Sequence, residues 1–217
     1  MKKIIFITLL MPLFLLANEA DFILLQAQKS LPKETLQLSG TLRIRTSNGS
    51  SKFINSIDAI LKFGDKIPSA KYNINEKELL IEWHKNIPTY TFSDPLIKIS
   101  DEISSTKMSW DELSFGFLWW KNSKIIKTTK KINRLAWLIE IPNPNNLNTL
   151  MVWIDKEMLI PLEVQSISEK NRIIKTLRVK RFRKINEVWF PQQIEILHHK
   201  SEERSILWID EINIINE

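Results

Sequence analysis

The chain contains no cysteine. Its fold is therefore held together without disulfides, and it offers neither a thiol nucleophile nor a thiolate metal site. Glycine is scarce, with four in 217 residues, and none belongs to a Gly-rich phosphate loop. Histidine is scarce too: His84, His198 and His199. The last two are neighbours on an expected strand, where successive side chains point to opposite faces, so they do not share one metal ion. The motifs H-E-x-x-H and G-x-S-x-G are missing. Asp101-Glu102, Glu202-Glu203 and Asp210-Glu211 read as solvated turns rather than acid–base dyads. These absences point away from an enzyme and away from any cofactor or metal. Internal repeats and low-complexity tracts are absent as well. Beyond the N-terminal segment no apolar run approaches the ~20 residues that span a bilayer.

What is present is an ordinary globular composition, 43% hydrophobic and 26% charged, too apolar for a disordered chain. The first residues form a targeting pattern. Lys2 and Lys3 precede the apolar run Ile4–Leu16, and Ala17 or Ala20 suits a cleavage site. Residues 1–17 are thus expected to be a Sec-type signal peptide, and 18–217 a single exported domain. An uncleaved anchor is the alternative. With no cysteine after the signal there is no site for lipoprotein acylation, so a soluble periplasmic protein is expected. The formal net charge is +6, a mild excess that fits an anionic membrane surface without requiring one.

The chain reads mainly as strands. Residues 150–191 break into four apolar runs, Leu150–Ile154, Leu159–Ser166, Arg172–Phe182 and Val188–Ile196, divided by short polar turns. Within them Leu177 and Val179 alternate with Arg178 and Lys180, the period of a half-buried strand. Four such runs in succession predict an antiparallel meander. Upstream, Glu34–Thr46 and Lys52–Phe63 flank an Asn48-Gly49 turn, and Phe53, Ile57, Ala59 and Leu61 share a face. Further strands are predicted at 70–74, 78–83, 89–92, 123–128, 133–141 and 204–209, the last running on towards 214. A helix is predicted over about 19–30, stopped by Pro32. A second is predicted over Ser109–Trp120. Ser109 and Glu112 make a capping box, and Trp110, Leu113 and Phe117 fall on one face.

The basic run Arg172–Lys184 admits two readings, contact with lipid headgroups or an acidic partner, and a solvated strand face. Nucleic-acid binding is not expected of an exported chain, although Phe182 and Trp189 flank that run.

The ordered series Trp153-Ile154-Asp155, Pro161-Leu162, Lys175-Thr176-Leu177 with Phe182, and Trp189-Phe190-Pro191 resembles the C-terminal half of LolA-like outer-membrane lipoprotein-sorting proteins. The likeness covers the last third of the chain and extends loosely to Ser109–Trp120. It implies an antiparallel, incomplete (half-open) β-barrel with short helices on an apolar concave face. It also implies a monomeric, non-catalytic periplasmic carrier whose partners are lipoproteins or lipids, held by their acyl chains, with transient contact to a membrane surface. On this reading Trp110, Leu113, Phe117 and Trp120 line the lipid-binding cavity. The resemblance places no lid-closing arginine on Arg43 or Arg45, because their surroundings differ. The competing reading keeps the fold but fills the cavity with the chain's own tryptophans, giving a non-catalytic binding or structural module of the cell envelope.

Overall fold

The structure, a computed structural model, describes residues 19–46, 49–144 and 147–215. The targeting segment, Asn48 of the Asn-Gly turn and the Phe53 side chain lie outside the described residues.

Helix α1 (Glu19–Lys29) carries Glu19 and Asp21 in its first turn and Lys29 in its last, the polarity that suits a helix dipole. Five strands follow: β1 (Thr35–Arg45), β2 (Ser51–Lys62), β3 (Ser69–Ile74), β4 (Lys77–His84) and β5 (Ile87–Phe92). A crossover segment, residues 93–123, contains helix α2 (Trp110–Leu113) and a 3₁₀ turn (Gly116–Trp119). Seven strands complete the chain: β6 (Lys124–Lys131), β7 (Arg134–Pro142), β8 (Thr149–Asp155), β9 (Pro161–Ile167), β10 (Ile173–Ile185), β11 (Val188–His198) and β12 (Arg204–Ile215).

All twelve strands form one sheet, in the order β5-β4-β3-β2-β1-β12-β11-β10-β9-β8-β7-β6. Each arm is an antiparallel meander, and pairing of β1 with β12 joins the two arms. β5 and β6 are left as free edges, so the barrel is half open. Register shifts in β1 and β10 mark where the strands bend. At the shift beside Gly40, a Cβ would collide with the Trp208 carbonyl, so only glycine allows this close pairing.

Alternation sets the inner face. Leu36, Leu38 and Leu42 of β1, and Ile57, Ala59 and Leu61 of β2, are buried in the central cluster. Because Leu42 and Ile44 point inward, Arg43 and Arg45 lie on the convex side and cannot reach the concave face. The concave face is filled by α1, through Ala20, Ile23, Leu24 and Ala27, and by the crossover, through Trp110, Leu113, Phe117 and Leu118. No helix among the described residues is long and apolar enough to cross a membrane.

The crossover differs from its predicted form. The capping box is present: Ser109 accepts from the Glu112 amide, and Glu112 accepts from the Ser109 amide. The helix stops after one turn, however, and Phe115 takes a left-handed backbone, φ 51° and ψ 38°. Tertiary packing overrides helix propensity here. The break turns Phe117 and Leu118 into the core and stacks Trp119 on Trp83, with ring centroids 4.5 Å apart. A left-handed phenylalanine costs about 1–3 kcal/mol, less than the ~3–5 kcal/mol lost when one such aromatic is removed from a core.

Candidate ligand cavity

The crossover is tied down from several sides. Lys175 of β10 donates to the Lys107 carbonyl at 2.8 Å and to Glu112 at 3.3 Å. The Lys107 amide donates to Ser205 of β12 at 2.8 Å. Gln28 of α1 donates to the Leu118 carbonyl at 2.6 Å, and Asp21 accepts from the Ser123 amide at 3.0 Å. The segment thus forms a strap across the open side of the sheet.

Two cavities flank this strap. The first, about 80 Å³, is walled by Leu113, Phe115, Leu118 and Trp119 of the strap and by Ala27 and Leu31 at the end of α1. Its floor is the sheet, where Leu38, Ala59, Tyr72, Ile194 and Leu207 face inward. Leu159, Trp189 and Phe190 close it towards one end of the barrel. Burial pushes the Tyr72 hydroxyl far up in pKa, so it stays neutral within this apolar wall. The second cavity, about 150 Å³, lies on the other side of the strap. Phe117, Trp120, Leu150 and Leu177 supply its apolar part, while Ser109, Asp111, Glu112 and Lys175 supply a polar side.

The four residues expected to line a lipid site therefore separate. Leu113 borders the first cavity. Phe117 and Trp120 border the second. Trp110 borders neither: it is 1% exposed and packs edge-on against Phe92 at 5.7 Å. Most of the wall, including Leu38, Ala59, Tyr72, Leu159 and Trp189, was not singled out from the sequence. Alternation identifies inward-facing residues but does not say which of them border a void.

The polar side contains one group out of balance. Asp111 Oδ1 is buried without a hydrogen-bond partner. Its carboxylate packs against Gly116, where a Cβ would collide with it. Burial and the neighbouring charge of Glu112 push its pKa up to about 7. On β5, burial and the charge of Asp111 push the Tyr90 hydroxyl up to about 12.

The convex face holds the strongest ion pairs. Glu163 is 1% exposed and accepts from Lys131 and Arg178, both at 2.7 Å. Lys131 also covers the Trp153 ring, Lys156 covers Trp137 and Arg181 covers Trp208, so three of the eight tryptophans serve as cation platforms. Asp155 pairs with Arg134. His199 meets Thr176 at 2.9 Å and His198 meets Ser201 at 3.1 Å. Among the described residues no group of three or more His, Asp or Glu side chains is arranged to hold a metal ion.

A family model described as "-like: Uncharacterized protein" matches residues 99–217, the strap and the strands β6 to β12. This is more than half of the chain. The chain belongs to that family. No curated protein matches it in sequence. Solved structures match it in shape. A DUF1329 family protein from Desulfovibrio piger has a TM-score of 0.74 at 12% identity, covering 90% of this chain and 92% of that one. A domain from Vibrio parahaemolyticus, provisionally described as an outer membrane lipoprotein-sorting protein, has a TM-score of 0.74 at 14% identity, covering 92% and 94%. A LolA superfamily protein from Nitrosomonas europaea has a TM-score of 0.66 at 13% identity, covering 91% and 94%. The fold is the LolA-like half-open barrel. At these identities the likeness is one of fold, and function has to be argued from the cavity.

Proposed function

We propose that this protein is a non-catalytic carrier of the cell envelope that takes up acyl chains of lipids or lipoproteins beneath the strap. The observation that carries this reading is the apolar first cavity, bounded by the strap and reaching towards one end of a LolA-like barrel, where Leu159 and Trp189 cover it. Acyl chains bind through buried area, about 0.8 kcal/mol per CH₂, and need no reactive side chain. Residues 1–17 act as the export signal, 18–217 form the mature periplasmic domain, and the carrier works as a monomer with transient membrane contact.

Size defines the mechanism. A cavity of about 150 Å³ holds one benzene, so the 80 Å³ here admits the tip of a chain and not its length. The strap is then in a closed position. Loading requires the strap to lift, joining the first cavity to the second, and Leu113, Phe117, Trp110 and Trp120 become contacts for the chain. Strap movement breaks polar ties and withdraws buried apolar side chains, which the bound acyl chain would replace, while strand pairing stays intact.

The second reading, a filled structural module, is favoured by the deep burial of Trp110 and Phe117. One experiment separates the two. Binding of a fluorescent fatty acid is measured together with thermal melting for wild type and Leu113→Asp. A carrier binds the probe, and the variant loses binding while retaining most of its melting temperature, because the cavity admits water around the carboxylate. A wild type that never binds the probe, even at high concentration, supports the filled module instead.

A further inference from the structure

In this all-antiparallel sheet the turns β2–β3, β4–β5, β6–β7, β8–β9 and β10–β11 lie at one end of the barrel, together with the entry to β1. That is also the end where Leu159 and Trp189 close the first cavity. Each of these turns presents an apolar side chain at or beside its tip. Ile67 is 43% exposed, Ile87 61%, Ile132 53% and Trp189 40%, while Leu159 is half-buried.

Ile132 is the most informative. It occupies a left-handed position, φ 51°, in the two-residue turn Ile132-Asn133. Such turns favour Asn, Asp or Gly, and a β-branched residue there is strained. The equivalent turn at the other end of the barrel, Asn75-Glu76 with φ 49° and 66°, is polar. The connections 168–172 and 199–203 at that end are polar too; its exposed apolar side chains are Leu147 in the β7–β8 loop and Ile54, Ile126 and Ile173 near strand ends, not at the tips of two-residue turns. Neither turn geometry nor solubility accounts for an exposed isoleucine at Ile132.

The same rim is basic. Lys33, Lys66, Lys85 and Lys130 are exposed and form no ion pair among the described residues. Most acidic groups at this end are engaged: Asp155 and Glu157 by Arg134, Glu187 by Lys184 at 2.7 Å, and Glu34 by Asn186 at 2.8 Å. Among the described residues Asp65 and Glu34 are left without an ion pair beside those four lysines.

We infer that this rim is a docking face for an anionic lipid bilayer, with Ile67, Ile87, Ile132 and Trp189 entering the interface and Lys33, Lys66, Lys85 and Lys130 facing the headgroups. Apolar tips ringed by lysine match the two halves of such a surface, and their continuity with the cavity brings its mouth to the acyl layer. The inference deepens the carrier reading and rests on it for the route of the cargo, but the docking itself is measured separately.

The test is flotation of the mature chain with phosphatidylcholine vesicles, with and without phosphatidylglycerol. Wild type floats with the anionic vesicles and is released as salt shortens the screening length from about 30 Å at 0.01 M to about 8 Å at 0.15 M. Replacing Lys66 and Lys85 by Glu weakens binding by at least about fivefold per site, the contribution of one basic residue at such a surface. The double variant Ile87→Ser, Ile132→Asn loses bilayer binding yet folds, because Asn suits the turn; Leu147→Ser at the opposite end changes nothing. Fatty-acid probe binding persists in all of these variants. A wild type that stays with neither vesicle, or rim variants that float as well as wild type, overturn the docking face. Vesicle binding without any probe binding instead overturns the carrier reading and leaves the docking face standing.

Discussion

Replacing Asp111 by Asn should stabilise this protein at neutral and alkaline pH, in a way that disappears in acid. Asp111 lies in the strap with Oδ1 buried and unpartnered. Burial, then the charge of Glu112, move its pKa from 3.8 to about 7. The groups facing it are Glu112 on its own helix and Tyr90 on β5; Lys175 is spent on Glu112. Between pH 3.8 and 7 the folded chain keeps a proton that the unfolded chain has released. Stability therefore falls as pH rises through this window and levels off above it. At about 1.4 kcal/mol per pH unit the full gap is about 4 kcal/mol. Asp111 borders the second cavity, and water there screens the charge, so about 2–3 kcal/mol is the working value. Asparagine has the same shape and no charge. The assay is urea unfolding of wild type and Asp111→Asn at intervals from pH 4 to 8. Taking the difference between the two proteins cancels every other titrating group. That difference should grow by about 2–3 kcal/mol in favour of Asn across the range, or about 4–12 °C in melting temperature for a chain of this size. A difference constant to within about 0.5 kcal/mol would refute the reasoning and mean that the carboxylate has found a partner.

Gly116→Ala should cost about 1–3 kcal/mol by urea unfolding, because its Cβ meets the Asp111 carboxylate, and combining it with Asp111→Ala should recover part of that loss. Burial raises the Glu163 carboxyl, but the bonds from Lys131 and Arg178 outweigh it and hold its pKa below the ordinary value. That stability is present above the unfolded value of 4.5 and is lost as pH falls through the lower folded one, so Glu163→Gln should destabilise at pH 7 by about 1–3 kcal/mol, discounted because Arg178 is half exposed, and much less at pH 3. Trp110→Ala should lower stability by about 3–5 kcal/mol in thermal melts, since Trp110 borders neither cavity. Phe117→Asp should abolish fatty-acid binding while keeping most of the melting temperature if the strap opens; a collapsed melt would assign Phe117 to the permanent core.

Local chemistry determined most of the fold. Leu177 and Val179 alternating with Arg178 and Lys180 forced one face inward, because period 2 is a property of any extended chain. Polar turns such as 168–171 fixed where the strands stop, and each run predicted to be a strand corresponds to a strand of the sheet. The capping box at Ser109 and Glu112 is local as well, and it formed as read. Only the tertiary structure decided the rest. Nothing within ten residues of β1 says that it pairs with β12 and leaves β5 and β6 as edges; that is settled by which hydrophobic faces can be buried together. The break at Phe115 follows from the fit of Trp119 on Trp83 and of Asp111 against Gly116, contacts between segments that helix propensity does not see. The cavities follow for the same reason. A void is space that no side chain reaches, and its walls come from α1, the strap and strands on both arms, so no single stretch of sequence carries its signature.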